Sequence, residues 1–419
     1  YDKMTEMDRQ VGDLLKQLKE DGLEDNTIIF YYGDHGPGMP RSKRWPYNSG
    51  LRVPMVVHIP EKFKHLAPSD YRPGGQSDRI VGFIDLAPTV LSLAGIKPPA
   101  YMQGHAFLGD FHAEQPEFGY GFRGRMDERY DMVRTVRDKR YVYIRNYMPH
   151  RIYGQYLNYM FQTPTTQVWK KLYDEGELEP PKTYFWETKP AEELYDLEKD
   201  PDEVNNLAHS PEHQGVIEHL RAAHKEWELS IRDVGFLPEG EIHSRSEGST
   251  AYEMGRDRKR YPLKRVMGMA DLAASLDPNV VAGLVTGLND KDSAVRYWAA
   301  MGLLMRGEQT VREQRPVLMD ALDDPSPYVR IMAAEALGRY SDGNDVDKAL
   351  EVLLDLASLE KNSVYVSMYA LNSLDKLGQK AKPALDTIEA LPLQDPSVHG
   401  RMRNYVTRLV ERITSNLKG

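Results

Sequence analysis

Apolar residues at the start of the chain recur every three or four positions: Met4, Met7, Val11, Leu14, Leu15 and Leu18. That spacing predicts an amphipathic helix with one face to bury, ending near Gly22. Asn26–Tyr32 (NTIIFYY) follows as a continuous β-rich run, apolar on both faces, which suits a central parallel strand. It closes in the polar, glycine-rich turn Gly33-Asp34-His35-Gly36-Pro37-Gly38. Val53–Ile59 predicts a second strand, stopped by Pro60. Arg79–Ala94 predicts a short strand turning into a helix through Asp85 and Pro88. Alternating helix and strand implies an α/β sheet, whose functional groups gather at the carboxyl ends of strands. Asp34 and His35 stand at such an end.

The pattern changes near Gly119. Met132–Tyr143 alternates in the manner of strands, with Asp138-Lys139 as the turn, and a tyrosine-rich stretch runs on to Pro190. A polar helix over Glu212–Asp233 completes a small α+β subdomain. Residues 238–262 show no period and read as a linker or surface crossing. From Leu263 the chain is helical and repetitive. Val295-Arg296-x-x-Ala299-Ala300-x-x-Leu303 recurs as Val329-Arg330-x-x-Ala333-Ala334-x-x-Leu337, and more loosely from Val366 to Leu374. The turn Asp324-Pro325-Ser326 recurs at Asp395-Pro396-Ser397, before a last helix to about Asn416. A period in the thirties with paired helices predicts a solenoid, and these repeats resemble the HEAT family. The predicted organisation is 1–118 α/β, 119–237 α+β, 238–262 linker and 263–419 helical repeats.

Composition narrows the function classes. The 419 residues carry a net charge of −9, against the basic footprint of a general nucleic-acid binder. There is no cysteine, which excludes disulfides, zinc–thiolate sites and a thiol nucleophile. No run of about 18 apolar residues occurs, so no membrane-spanning helix is predicted. Tyr1 opens directly into a helix that needs a core, with no secretion signal ahead of it, which reads as a fragment starting inside a domain.

Candidate chemistry centres on the first glycine-rich turn. Asp34 and His35, side by side at a strand end, can both point at one cation, although an Asp-His-Gly run also suits an ordinary Asx-type turn. Arg41, Lys43, Arg44 and Arg52 follow, threaded with glycine and proline. A cationic loop beside a metal-ligand pair can hold a tetrahedral anion and offset developing charge. The plainer reading is a solvated basic loop.

Asn26–Pro60 closely resembles the second half of the type I sulfatases of the alkaline phosphatase superfamily. Ile84–Leu91 with Ala94-Gly95-Ile96, then Gln103–Leu108, then Glu193-Leu194-Tyr195-Asp196-Leu197 with Asp200-Pro201, Glu203 and Asn206-Leu207, resemble further segments of that family in order. The resemblance covers roughly residues 1–235 and implies part of an alkaline-phosphatase-like sandwich. It implies that Asp34 and His35 are the last two ligands of a divalent cation, calcium foremost, with Mg2+, Mn2+ or Zn2+ as alternatives. It implies that Lys43, with Arg44 beside it, contacts the sulfate, and that Arg52 is structural. His105 lies in a glycine-flanked loop where it could touch substrate or simply be a surface histidine. His58 reads as a satisfied core or strand-face histidine rather than a catalytic one. The Arg123–Arg134 run reads as a salt-bridged surface or a wall for a sulfated sugar. The tyrosines from Tyr141 to Tyr184 read as core packing or as sugar-stacking platforms.

The family's nucleophile, a formylglycine made from cysteine or serine in a Cys/Ser-x-Pro-x-Arg motif, has no counterpart among these residues, nor have the paired aspartates that begin its metal site. The expectation is therefore a sulfuric ester hydrolase for sulfated carbohydrates, periplasmic or secreted by family habit, present here without its nucleophile and inactive alone. The alternatives are a phosphoric or phosphonic ester hydrolase on the same scaffold, or a non-catalytic protein binding a protein partner through its repeats.

Overall fold

The computed structural model describes residues 1–393, 395 and 398–419. Helix α1 (Asp2–Glu20) forms as the spacing predicts, but none of its residues is buried. Its stripe stays bare, with Met4 64% and Leu14 67% exposed. Strand β1 (Ile29–Tyr32) is followed by the site loop and a single turn of helix, α2 (Asn48–Leu51), before β2 (Met55–His58). The two strands pair antiparallel, Ile29 opposite His58 and Tyr32 opposite Met55. This corrects the expectation of a central parallel strand. Within the described residues β1 has only β2 beside it, because the chain folds straight back and Gly33 N–H donates to the Pro54 carbonyl. His58 is exposed on β2.

The strand expected within Arg79–Ala94 is instead a 3-10 turn, Phe83–Asp85, leading into α3 (Leu86–Leu93). Three polar groups of this segment hold the following loop. Asp85 Oδ1 accepts from His105 N–H, Thr89 Oγ1 from Phe107 N–H, and Ser92 Oγ from Phe111 N–H. Gly104 sits where a Cβ would lie 2.0 Å from the Ile84 carbonyl oxygen, so only glycine fits that approach.

The α+β subdomain is a four-stranded antiparallel meander: β3 (Gly119–Arg123), β4 (Val133–Arg137), β5 (Tyr141–Asn146) and β6 (Glu192–Asp196). Helix α4 (Pro164–Asp174) lies in the excursion between β5 and β6, and α5 (Gln214–Ile231) packs on the sheet through Ile217 and Leu220. Buried Tyr143, Tyr147 and Tyr153 are core, as one of the two readings had it.

Residues 238–262 are not a linker. They form α6 (Glu239–Arg245) and α7 (Ala251–Arg256), and Met254 and Tyr261 are fully buried. The helical region then runs α8 (Leu263–Ala274), α9 (Val281–Gly287), α10 (Ser293–Met305), α11 (Glu308–Glu313), α12 (Arg315–Asp320) and α13 (Pro327–Tyr340). It ends with α14 (Asn344–Ala357), α15 (Val364–Leu377), α16 (Leu385–Glu389) and α17 (Gly400–Lys418). The repeated Val and Ala positions explain the period: Val329, Ala299, Ala300, Ala333, Ala334 and Ala370 are all completely buried where α10, α13 and α15 stack. Arg296 reaches Asp324 of the next turn at 2.6 and 2.8 Å, and Asp324 also accepts from Ser326 N–H. The second Asp-Pro-Ser turn falls mostly outside the described residues.

The stacked helices face the α+β subdomain and share one core with it, from Met132 and Tyr147 through Trp298 to Leu417. The Arg123–Arg134 run lies at this junction rather than on the surface. Arg123 and Asp131 are buried together with Lys189, whose Nζ lies 2.5 Å from Asp131. Arg129 reaches Asp375 on α15 at 2.8 Å, and Arg134 reaches Asp233 at 2.6 Å. The run looked solvated because Lys189, Asp233 and Asp375, which complete its ion pairs, sit far away in sequence.

Candidate active site

The site loop, residues 33–52, is cinched by its glycines. Gly36 N–H donates to the Gly50 carbonyl at 3.0 Å. A Cβ on Gly36 would fall 1.9 Å from Ser49 O, and one on Gly50 would fall 2.1 Å from Trp45 O. The loop can therefore be this tight only with glycine at both places. Lys43 N–H donates back to the Pro37 carbonyl, tying the cationic segment to the end of the turn that carries Asp34 and His35.

Asp34 and His35 do converge. His35 Nδ1 lies 2.6 Å from the Gly36 carbonyl oxygen. A carbonyl can only accept, so Nδ1 carries a proton, and in the neutral form of the ring the lone pair lies at Nε2. That nitrogen lies 3.3 Å from Asp34 Oδ2. Two acceptors at this separation need a proton or a cation between them. Two ligands about 2.3–2.6 Å from one cation, at a right angle, stand roughly 3.3–3.7 Å apart, which fits this pair. Among the described residues no third His, Asp or Glu joins them in a cluster able to hold a metal.

Lys43 and Arg44 share the ring of Tyr159: Lys43 Nζ is 5.3 Å and Arg44 Cζ 4.5 Å from its centroid. Their electrostatic situations differ. Arg44 is paired with Asp127 at 2.8 Å, and its carbonyl accepts from Arg123 at 2.6 Å. Lys43 has no carboxylate partner among the described residues, which leaves it the freer cation for an incoming anion. Both neighbours of this segment are held in the left-handed region, Arg41 at φ 63° and Arg44 at φ 77°. Residues with a Cβ stay there only when their contacts fix them. His105 is elsewhere: its backbone is tied to Asp85, its side chain is exposed, and no hydrogen bond joins it to Asp34, His35 or Lys43. Arg52 is exposed beside Arg137, whose pKa is lowered by burial and then by the Arg52 charge.

What fixes the loop comes from the second half of the subdomain. Arg41 donates to the carbonyls of Asp202 and Glu203 at 2.7 and 2.5 Å, and Asn48 N–H donates to Glu203 Oε2 at 2.9 Å. Burial pushes the Glu203 carboxyl up to about 7 despite the nearby Arg41. Deeper in, Glu193 is fully buried and accepts four hydrogen bonds: Tyr47 at 2.9 Å, Tyr153 at 2.8 Å, Tyr195 at 2.6 Å and Asn146 at 2.6 Å. Burial, reinforced by the Glu193 charge, holds all three phenols well above their ordinary range, so they remain donors.

Residues 1–96 match the family model described as Sulfatase, and 281–372 and 315–397 match HEAT repeats. An ulvan-active sulfatase of Formosa agariphila is 43% identical over 244 residues, 58% of this chain and 39% of that protein. The first part of the chain is thus similar to the sulfatases. The human N-sulphoglucosamine sulphohydrolase is 26% identical over 252 residues, 56% of this chain and 47% of that protein. A solved structure in complex with its substrate D-glucosamine-2-N,6-O-disulfate aligns at 21% identity over 53% of this chain and 38% of its own, with a TM-score of 0.37. The chain thus spans less than half the length of these relatives.

Within the sulfatase segment, Asp34, His35, Lys43 and Arg44 all lie in the matched residues, whereas His105 does not. The loop's restraints, Glu193 and Glu203, stand in the sequence as part of the Glu-Leu-Tyr-Asp segment. Sequence reasoning noted that segment without giving either residue a role. A glutamate with three tyrosines in reach has no signature when the tyrosines come from 47, 153 and 195.

Proposed function

We propose that this chain is part of a sulfuric ester hydrolase for sulfated carbohydrates. Asp34 and His35 hold a divalent cation, calcium foremost, and Lys43 contacts the sulfate, with Arg44 at its side. The convergence of His35 Nε2 and Asp34 Oδ2, with the ring proton committed to Gly36, carries the reading. A cation there would bind one sulfate oxygen and draw electron density from sulfur. Lys43, unpaired and tied to the end of the same turn, would neutralise a second oxygen. The nucleophile lies outside these residues in this reading, because no Cys/Ser-x-Pro-x-Arg occurs.

The names of the relatives support sulfated glycans as the substrate class. Calorimetric titration of the chain with Ca2+, then Mn2+ and Zn2+, tests the site. Binding of one cation that Asp34→Ala abolishes is expected. Unchanged affinity in Asp34→Ala would overturn the ligand assignment.

A further inference from the structure

We propose that the last solenoid helix and the site loop form one binding strip for an extended sulfated polysaccharide chain. The inference rests on the sulfatase reading and extends it from a single sulfate to its neighbours along the polymer. The strip begins at Tyr159, 46% exposed, whose ring carries Lys43 and Arg44. Three residues earlier, the ring of Tyr156 carries Arg412 of α17 at 4.3 Å. This bridge is fixed from below, since Arg129 Nε donates to the Tyr156 carbonyl at 2.8 Å and Asn158 N–H to Glu128 at 2.6 Å.

Helix α17 is built to continue the strip. Arg401, Tyr405, Arg408 and Arg412 are spaced four, three and four apart, which places them on one face. Tyr405 donates to Asp127 Oδ1 at 3.2 Å, and Asp127 Oδ2 is the oxygen that holds Arg44. One carboxylate therefore joins the solenoid to the substrate-side loop.

The local charge balance separates this strip from an ordinary salt-bridged surface. Four carboxylates beside it are already engaged: Asp127 by Arg44, Glu128 by Arg408 at 3.8 Å, Glu239 by Arg125, and Asp375 by Arg129, with Arg412 also within its electrostatic reach. Lys43, Arg401 and Arg412 remain without an ion-pair partner among the described residues. The strip is cationic on a chain whose net charge is −9. Guanidinium groups suit sulfate oxygens, and the exposed phenol ring suits the apolar face of a sugar. An unbranched chain bearing sulfates at intervals satisfies both, whereas a single small ester would use only the Lys43 end.

The test measures binding of dextran sulfate to the 419-residue chain, with unsulfated dextran as the control polymer. The triple variant Lys43→Gln/Arg401→Gln/Arg412→Gln is expected to weaken dextran sulfate binding by about tenfold or more. Lys16→Gln/Lys19→Gln, on exposed α1, is expected to leave binding unchanged. Equal binding by the triple variant and the parent, an equal loss in the α1 variant, or equal affinity for unsulfated dextran would each overturn the proposal. Arg412 is half-buried, so thermal melting accompanies the assay. If the triple variant is unfolded, Lys43→Gln/Arg401→Gln decides: a loss of about threefold supports the strip, and no loss overturns it. Cation binding at Asp34 is read in a separate titration, so either result can fail without the other.

Discussion

Arg151 donates from both Nη atoms to the two oxygens of Glu335, each at 2.7 Å, across the junction between the α+β subdomain and the solenoid. Ser373 donates to the same carboxylate at 2.7 Å. Glu335 is fully buried and Arg151 nearly so. Removing one charge from such a pair strands the other without water. Glu335→Gln should therefore destabilise the chain by about 3 kcal/mol, read by urea denaturation. Burial opposes ionisation of Glu335, but Arg151 holds its carboxyl below the usual range. The stabilisation is full above the ordinary carboxylate pKa and declines as acid protonates the folded state.

A chain ending at residue 262 should fail to fold as a soluble monomer. Tyr147, Phe236, Met254 and Tyr261 belong to the core completed by Trp298 and its neighbours. Truncation would leave these large side chains in water. Expression of residues 1–262 with circular dichroism and size-exclusion chromatography checks this. A compact product with a cooperative melt would contradict it.

Glu203 should impose a pH slope. Its folded pKa, about 7, stands above the unfolded value, so the native state binds the extra proton. Its contribution to stability is then whole below about pH 4.5 and lost as pH rises towards 7, a change on the order of 2–3 kcal/mol. Glu203→Gln keeps an acceptor for Asn48 N–H and removes the titration. Denaturation curves from pH 4 to 8 should show the variant gaining on the parent as pH rises. Parallel profiles would refute the assignment.

Gly50→Ala should loosen the site loop. The added methyl would meet Trp45 O at 2.1 Å and Ser42 O at 2.3 Å, both backbone atoms. A cost of about 1–3 kcal/mol is expected, concentrated in the loop. Trypsin should then cut at Arg41, Lys43 or Arg44 faster than in the parent, while the solenoid stays intact. Equal cleavage rates would show that the loop has room to adjust.

Much of this was legible in the sequence. The solenoid was, because Val-Arg-x-x-Ala-Ala repeats within one local period, and β4 and β5 were, because alternation and a two-residue turn are local signals. Asp34 and His35 could be singled out as a candidate pair because they are adjacent. The pairing partner of β1 was not, since apolar faces say that a strand is buried without saying beside what. Residues 238–262 misled for a related reason: Met254 and Tyr261 are isolated apolar positions whose partners lie far along the chain. Arg129 with Asp375, and Arg41 with Glu203, are likewise separated by long stretches, so their charges looked solvated.

The Glu193 cluster carries a consequence for anyone transplanting the loop of residues 33–52. Tyr47 belongs to the loop, but its phenol shares an acceptor with Tyr153, Tyr195 and Asn146, contributed by three other stretches of chain. Moving residues 33–52 into another scaffold would leave one hydroxyl stranded there and one carboxylate short of a donor here. The graft must travel as a set of five side chains, or the recipient must already own the other four.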